Sequence, residues 1–206
     1  MKLKIPAALV VTGILIIWGI RFYSVNGGRM MPYTPNEVLI YPMGEAVSLQ
    51  ESNSYGGAVY DQCTITVNQA RVIDFDEFCA QYQKTAEQFQ FPYDRMIELE
   101  VTLINQSAKD TEIYFDGFIL RGTDWWCSAA EDATAFANLI PVSEQSGLSI
   151  SGVTAASGTE TAIKLVYGMP KTKLPSERWN AFEKENLELV ITLHPTEQRV
   201  QIIPAR

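Results

Sequence analysis

Beyond residue 38 the chain alternates apolar and polar residues at every second position. From Met96 to Ile104, Ile97, Leu99, Val101 and Leu103 fall on one face and Glu98, Glu100 and Thr102 on the other, the period of a half-buried strand. Leu187, Leu189, Ile191 and Leu193 alternate with Glu188, Val190, Thr192 and His194 in the same manner. Shorter runs predict strands at Val38 to Tyr41, Cys63 to Val67, Glu112 to Leu120, Thr161 to Tyr167 and Arg199 to Ile203, so that about seven strands are expected. Asn105 to Asp110 and His194 to Gln198 carry turn residues and read as hairpin loops. Strand-helix-strand units do not recur, which disfavours a parallel α/β sheet. One-sided strands must pair their apolar faces, and an antiparallel two-sheet sandwich does this most simply.

Helix is minor in this reading. Asp74 to Gln88 sets Phe75, Phe78, Cys79 and Tyr82 at i, i+3, i+4 and i+7, with acids in the first turn, an amphipathic stripe. A second short helix is expected at Ser176 to Glu185, capped by Ser176 and turning Trp179 and Phe182 inward. Ala130 to Leu139 is a weaker third, and the Ser/Gly-rich stretch from Val142 to Gly158 reads as a long surface loop.

The N-terminus follows a different pattern. After Lys2 and Lys4 the chain is uncharged from Ile5 to Ile20; as a helix this run spans about 24 Å, and Phe22 and Tyr23 extend it toward the ~30 Å of a bilayer core. Gly19 to Ser24 holds no Ala-x-Ala-like pair, so the segment reads as an uncleaved signal anchor rather than a removed leader. The first cysteine, Cys63, is too distant for lipid attachment. The free amino terminus favours N-inside, which places the remainder outside the cell membrane. The organisation expected is a transmembrane helix over 1–23, a Gly-, Pro- and Asn-bearing linker over 24–37, and an extracytoplasmic β-sandwich domain over 38–206.

Charge narrows the partners. From position 30 onward 12 basic residues face all 24 acidic ones, a net charge of −12. Such a surface repels phosphate backbones, so nucleic acid is not an expected partner.

Candidate chemistry is sparse. The single histidine, His194, stands at a strand end beside Pro195 without the partners of a triad or zinc site. Cys63, Cys79 and Cys127 leave two states open, one disulfide with a thiol over or three buried free thiols, and no C-x-x-C motif occurs. The acids Asp110, Glu112, Asp116, Asp124, Glu131 and Asp132 gather loosely but lack the spacing of a calcium loop. No metal, cofactor or catalytic residue is therefore expected. Trp125 and Trp126 are the binding candidates. Two adjacent indoles cannot both point inward from an extended segment. Either one is exposed as a platform for a sugar ring, peptide or partner domain, or one lies in the core and the other caps the sandwich, covered by the Ala130 to Leu139 segment. The platform reading predicts that Trp125→Ala and Trp126→Ala weaken partner capture with little change in Tm.

The strand running into Asn105, its short polar loop and the following run to Phe118-Ile119-Leu120 resemble the small immunoglobulin-like domains of Gram-positive secreted proteins and lipoproteins. Ser157-Gly158-Thr159-Glu160-Thr161 before Ile163 to Tyr167 is similar to the turn and strand that follow in those domains, as are Gly44 to Val47 and Cys63 to Ile73 to their opening strands. The helix after Asp74 is an insertion relative to that pattern. The resemblance implies a fold and a location but little chemistry. The expectation is a mainly β, immunoglobulin-like antiparallel sandwich with one or two short helical insertions behind a transmembrane helix. Its expected role is a membrane-anchored envelope binding or scaffolding module with a protein or cell-wall partner and no catalysis. The rivals are an accessory subunit of an envelope transport, secretion or sporulation complex, and an envelope hydrolase.

Overall fold

The most regular alternation in the sequence becomes the central strand of a sheet. The computed structural model describes residues 16, 18, 21, 35–50, 60–138, 152–193 and 195–205, and residues 35–206 form one compact unit. Within it β1 (Glu37–Pro42), β2 (Ala46–Ser48), β3 (Cys63–Asp74) and β4 (Arg95–Asn105) precede β5 (Thr111–Tyr114), β6 (Ile119–Arg121) and β7 (Trp126–Ser128). β8 (Gly152–Ala155), β9 (Thr159–Met169), β10 (Leu187–Thr192) and β11 (Thr196–Ile202) complete the strands among the described residues, which also hold three short helices, α1 (Phe75–Tyr82), α2 (Glu131–Ala137) and α3 (Ser176–Asn180).

Two main sheets result, one ordered β2-β3-β4-β9 and the other β1-β11-β10-β6-β7, with β5 and β8 paired separately. Their inner faces share one core. Ile65, Val67, Leu99, Leu103 and Leu165 from the first sheet meet Leu120, Leu187, Leu189, Ile191 and Val200 from the second. The domain is thus mainly β, as the alternation required.

Several features depart from the expectation. β1 runs parallel to β11, so the sheet is mixed rather than antiparallel; periodicity reports which face a residue takes and not which strand lies beside it. The stretch Glu112 to Leu120 is two strands, because a 3-10 turn at Phe115–Gly117 shifts the inward set from Ile113 and Phe115 to Phe118 and Leu120. Consequently Asn105 to Asp110 is no hairpin: β5 pairs with β8 instead of β4. The buried Asn105 side chain organises that crossing, donating to Lys109 O and Ala155 O at 2.8 Å each and accepting from the Ser107 N–H at 2.9 Å. β8 itself lies within the stretch expected to be loop.

β3 is longer than its apolar signal. Cys63, Ile65 and Val67 face the core, a bulge falls between Val67 and Gln69, and after it Ala70 and Val72 turn inward. The phase change is what ended the predicted strand early. The hairpin at the C-terminus forms as expected, with β10 and β11 antiparallel.

The outer face of the four-stranded sheet is also covered. The stripe of α1 closes on it as read, with Phe75 and Phe78 buried and Cys79 and Tyr82 partly so, joined by Phe89, Met96, Val166 and Ala133 of α2 in a second apolar cluster. α1 ends at Tyr82 because Gln83 adopts a left-handed conformation (φ 54°). Ser176 begins α3 without acting as its cap, which falls at Pro175.

A buried carboxylate lies in this covered face. Glu98 is 1% exposed. Its Oε1 accepts from Arg71 Nη2 at 2.8 Å and sits 3.3 Å from Lys164 Nζ, while Oε2 accepts from the Tyr82 hydroxyl at 2.6 Å. A desolvated carboxylate is tolerated only with such partners, and they join β3, β4, β9 and α1 at one point. Burial and the Glu98 hydrogen bond raise the Tyr82 pKa. Burial alone would depress Lys164, but its bond to Tyr82 and the charge of Glu98 hold it above its ordinary value.

Of the expected membrane span over residues 5–23, only Ile16, Trp18 and Arg21 are described, all helical; the rest of that expectation lies outside the described residues. Among those residues no helix is long and apolar enough to cross a membrane.

Two outcomes follow for the Glu98 network. Glu98→Ala should cost about 2–4 kcal/mol, between the values for exposed and fully buried ion pairs because Arg71 and Lys164 are about a third exposed; urea unfolding measures it. For pH, both raised groups stabilise the fold fully below their unfolded pKa values of 10.0 and 10.5, and the contribution is lost as pH rises through the higher folded values. Tm should therefore fall as pH climbs beyond about 10, less steeply in Tyr82→Phe than in the unaltered chain.

Candidate functional site

Gly122 to Trp125 turn the chain between β6 and β7, and the turn closes through the Gly122 N–H donating to Trp125 O at 2.9 Å. The register opposes Ile119 to Ser128, Leu120 to Cys127 and Arg121 to Trp126. Leu120 faces the core, so Arg121 and Trp126 share the outer face and are direct cross-strand neighbours.

The two tryptophans separate. Trp125 is 6% exposed and belongs to the shared core, stacked on Phe182 with centroids 6.1 Å apart at 24°. Trp179 adjoins Phe182 and carries the Arg95 guanidinium 4.5 Å above its ring, so these rings close one end of the core. Trp125 also packs closely on Gly122, where a Cβ would collide with the indole. Its indole N–H is buried without a well-formed hydrogen bond; it is near enough to the Glu185 carboxylate to help hold that acid charged, yet not aligned to bond it. Trp126 is 62% exposed. α2, expected to cover it, packs instead on β9 of the other sheet.

Beside Trp126 lies an open cleft of about 480 Å³, within the ~300–1,000 Å³ of small-ligand sites. Ile119, Val190 and Leu193 give it an apolar floor, and Arg121, Glu197 and the Thr123-Asp124 turn give it polar walls. The charges along its polar side form a closed set. Arg121 Nε lies 3.1 Å from Glu188 Oε2 and its Nη1 3.2 Å from Glu197 Oε1, while Arg199 meets the same two oxygens at 3.2 and 2.7 Å. Two cations and two anions balance, and the Arg121 Nη2 and the second oxygen of each carboxylate are not used in holding the set together. At the rim Arg178 clamps the turn from α3, 2.6 Å from Asp124 Oδ1 and 2.6 Å from Glu185 Oε2. Those bonds hold the Glu185 carboxyl below its ordinary value, against the opposing effect of its burial.

The remaining candidates disperse. All three cysteines are free thiols. Cys63 donates weakly to Asn105 Oδ1 at 3.6 Å; burial raises every thiol pKa, that of Cys127 to about 12, which suppresses thiolate reactivity. The loose acidic cluster also comes apart: Asp110 accepts from Ser157 N–H, Glu112 from Tyr114 O–H, Asp132 from Gln90 N–H, and Asp124 pairs with Arg178. Among the described residues no group of three or more His, Cys, Asp or Glu is placed to hold a metal ion. His194 lies outside the described residues.

Sequence reasoning named Trp125 and Trp126 but missed Arg121, Glu188, Glu197, Arg199 and Arg178. The outward position of Glu188 and Arg199 was readable from alternation; their convergence depends on the β6-β10-β11 register.

A family model described as a domain of unknown function, DUF5028, matches residues 38–198. The chain belongs to the DUF5028 family. No curated protein matches it. Among solved structures, the DUF5028 chain is similar to the yjhA protein from Bacillus subtilis, at 15% identity and a TM-score of 0.40 over 79% of this chain and 98% of that one. It is also similar to a functionally unknown protein from Listeria monocytogenes EGD-e, at 17% identity and a TM-score of 0.39 over 71% and 76%.

The burial difference corrects the expectation that both tryptophans are dispensable for stability in this DUF5028 domain. Trp125→Ala should cost about 3–5 kcal/mol, as aromatic truncations in cores do, whereas Trp126→Ala should stay within about 0.5 kcal/mol. Gly122→Ala should cost about 1–3 kcal/mol by forcing the indole off its seat. Denaturant midpoints of the three variants test the set.

Proposed function

We propose that this protein is a cell-envelope binding or scaffolding module without intrinsic catalysis, which engages a protein or cell-wall partner through the face bearing Trp126. The domain in this reading is an immunoglobulin-like sandwich held outside the cell membrane by an anchor at residues 5–23. The observation that carries it is the pairing of an indole 62% exposed with an arginine already committed to carboxylates, over an open cleft. Tryptophan and arginine at the centre of a concave patch are the residues on which binding energy concentrates. A catalytic acid or base needs a carboxyl poised for proton transfer, whereas Glu188, Glu197 and Asp124 are each tied to a guanidinium. The acidic domain surface disfavours a nucleic acid partner, and no cofactor enters the reading. The two-sheet core and the alternating strands support the immunoglobulin-like assignment; the uncharged run from Ile5 to Ile20 supports the anchor.

A photo-crosslinking side chain placed at position 126 in living cells should yield a discrete adduct, while the same group at Phe91, 56% exposed and outside this cleft, should not. Equal labelling at both positions, or none at 126, would discard the Trp126 face. Separately, the full chain should sediment with membranes through alkaline extraction, and external protease should digest residues 38–206 in cells stripped of wall; protection of that part would refute the topology.

A further inference from the structure

Three kinds of surface meet in the cleft beside Trp126, and each restricts what can fill it. The first is a bare aromatic face. The bond from the Gly122 N–H to Trp125 O makes those two residues hydrogen-bonded opposites. Arg121 and Trp126, one step along, are therefore a non-bonded pair, the kind in which side chains stand closest. The Arg121 guanidinium is nonetheless drawn toward Glu188 and Glu197, and among the described residues neither a ring nor a cation covers the Trp126 indole.

The second is a strip of hydrogen-bonding groups. Arg121 Nη2 donates, Thr123 Oγ1 donates and accepts, and Asp124 Oδ2 and Glu197 Oε2 accept. None of these atoms is used in the bonds that tie the site together. Thr123 and Asp124 are exposed, and the Arg121 side chain is 36% so. The third surface is the apolar floor, where Val190 of β10 stands opposite Ile119 of β6 and Leu193 continues the patch.

We infer that the occupant of this cleft is a neutral, β-1,4-linked glycan bearing N-acetyl groups, with one sugar ring stacked on Trp126. A pyranose ring has a face of C–H bonds and a rim of hydroxyls. The face matches an open indole, and neighbouring hydroxyls, each a donor and an acceptor at once, match a strip on which donors and acceptors are mixed. An N-acetyl methyl gives the apolar floor a partner that a plain hexose lacks. Charged ligands fit less well. An anion on Arg121 stands beside Glu197 and Asp124, and the net charge of −12 beyond position 30 repels an anionic polymer. An ammonium group finds one indole rather than an aromatic cage, with the Arg121 guanidinium as its neighbour. An apolar protein anchor uses the indole and the floor but leaves the polar strip covered and unmatched. β7 is an end strand of its sheet among the described residues, so no further strand closes that side and a polymer can lie across the cleft. The glycan assignment rests on the Trp126 face being the contact surface, and it narrows the partner to the wall.

The test titrates the full chain in mild detergent with the β-1,4-linked tetramer of N-acetylglucosamine, read by calorimetry. Binding should saturate. Trp126→Ala should weaken it at least about tenfold, as loss of a central aromatic does, with Tm unchanged, and Trp126→Phe should restore part of it. The deacetylated tetramer, a cation, and the β-1,4-linked glucuronic acid tetramer, an anion, should each bind at least about tenfold more weakly. Affinity for the acetylated tetramer should be the same in low and high salt, because a neutral ligand carries no charge to screen. In cells, the adduct formed from a photo-crosslinker at position 126 should collapse to a discrete mass on digestion with a hydrolase of the wall glycan. Absence of saturation, binding that survives Trp126→Ala, or preference for either charged tetramer would each overturn the glycan. A protein adduct at position 126 without tetramer binding overturns the glycan and leaves the Trp126 face standing, whereas neither adduct nor tetramer binding discards both.

Discussion

The first half of β4, from Met96 to Leu99, is buried on both faces, and much of the domain's arrangement answers to that condition. The strand's inward residues Ile97, Leu99, Val101 and Leu103 need only apolar company, which the five-stranded sheet supplies. Its outward face is harder to satisfy, because Glu98 is placed where water does not reach it. A carboxylate so placed needs cationic and hydroxyl partners at fixed positions, and these come from β3, β9 and α1. A shift of one residue in either neighbouring strand would turn Arg71 or Lys164 to the wrong face. Hydrophobic burial supplies the driving force, and this single polar cluster discriminates among the registers and helix placements that burial alone would accept.

The second sheet repeats the device at its surface. Arg121, Glu188, Glu197 and Arg199 come from β6, β10 and β11, and their mutual contacts exist in one register only. Glu188 and Glu197 are buried and only Arg121 is about a third exposed, so removing one partner would leave a poorly solvated charge unpaired. Their effect is positional: Arg121 is fixed by two carboxylates, and Trp126, its neighbour across β6 and β7, stands over a cleft whose charges are already balanced. The turn that presents Trp126 is held from beneath by Trp125 on Gly122 and from the side by Arg178, so an exposed indole rests on rigid support.

The face of each residue was legible in the sequence, and its neighbours were not. Alternation placed Leu99 and Leu189 inward and Glu188 outward, and the stripe of Phe75, Phe78, Cys79 and Tyr82 gave α1 its buried side. Wherever the chain changes phase, as at the bulge after Val67 or the turn at Phe115–Gly117, periodicity broke and the reading with it. Pairing is decided by contacts between residues far apart in sequence, so neither the β1-β11 parallel pair nor the crossing after Asn105 could be read from local pattern. The same limit governed the site: adjacent tryptophans announced that the two could not share a face, but only the structure shows that Trp126 is the exposed one and that Arg121 stands beside it.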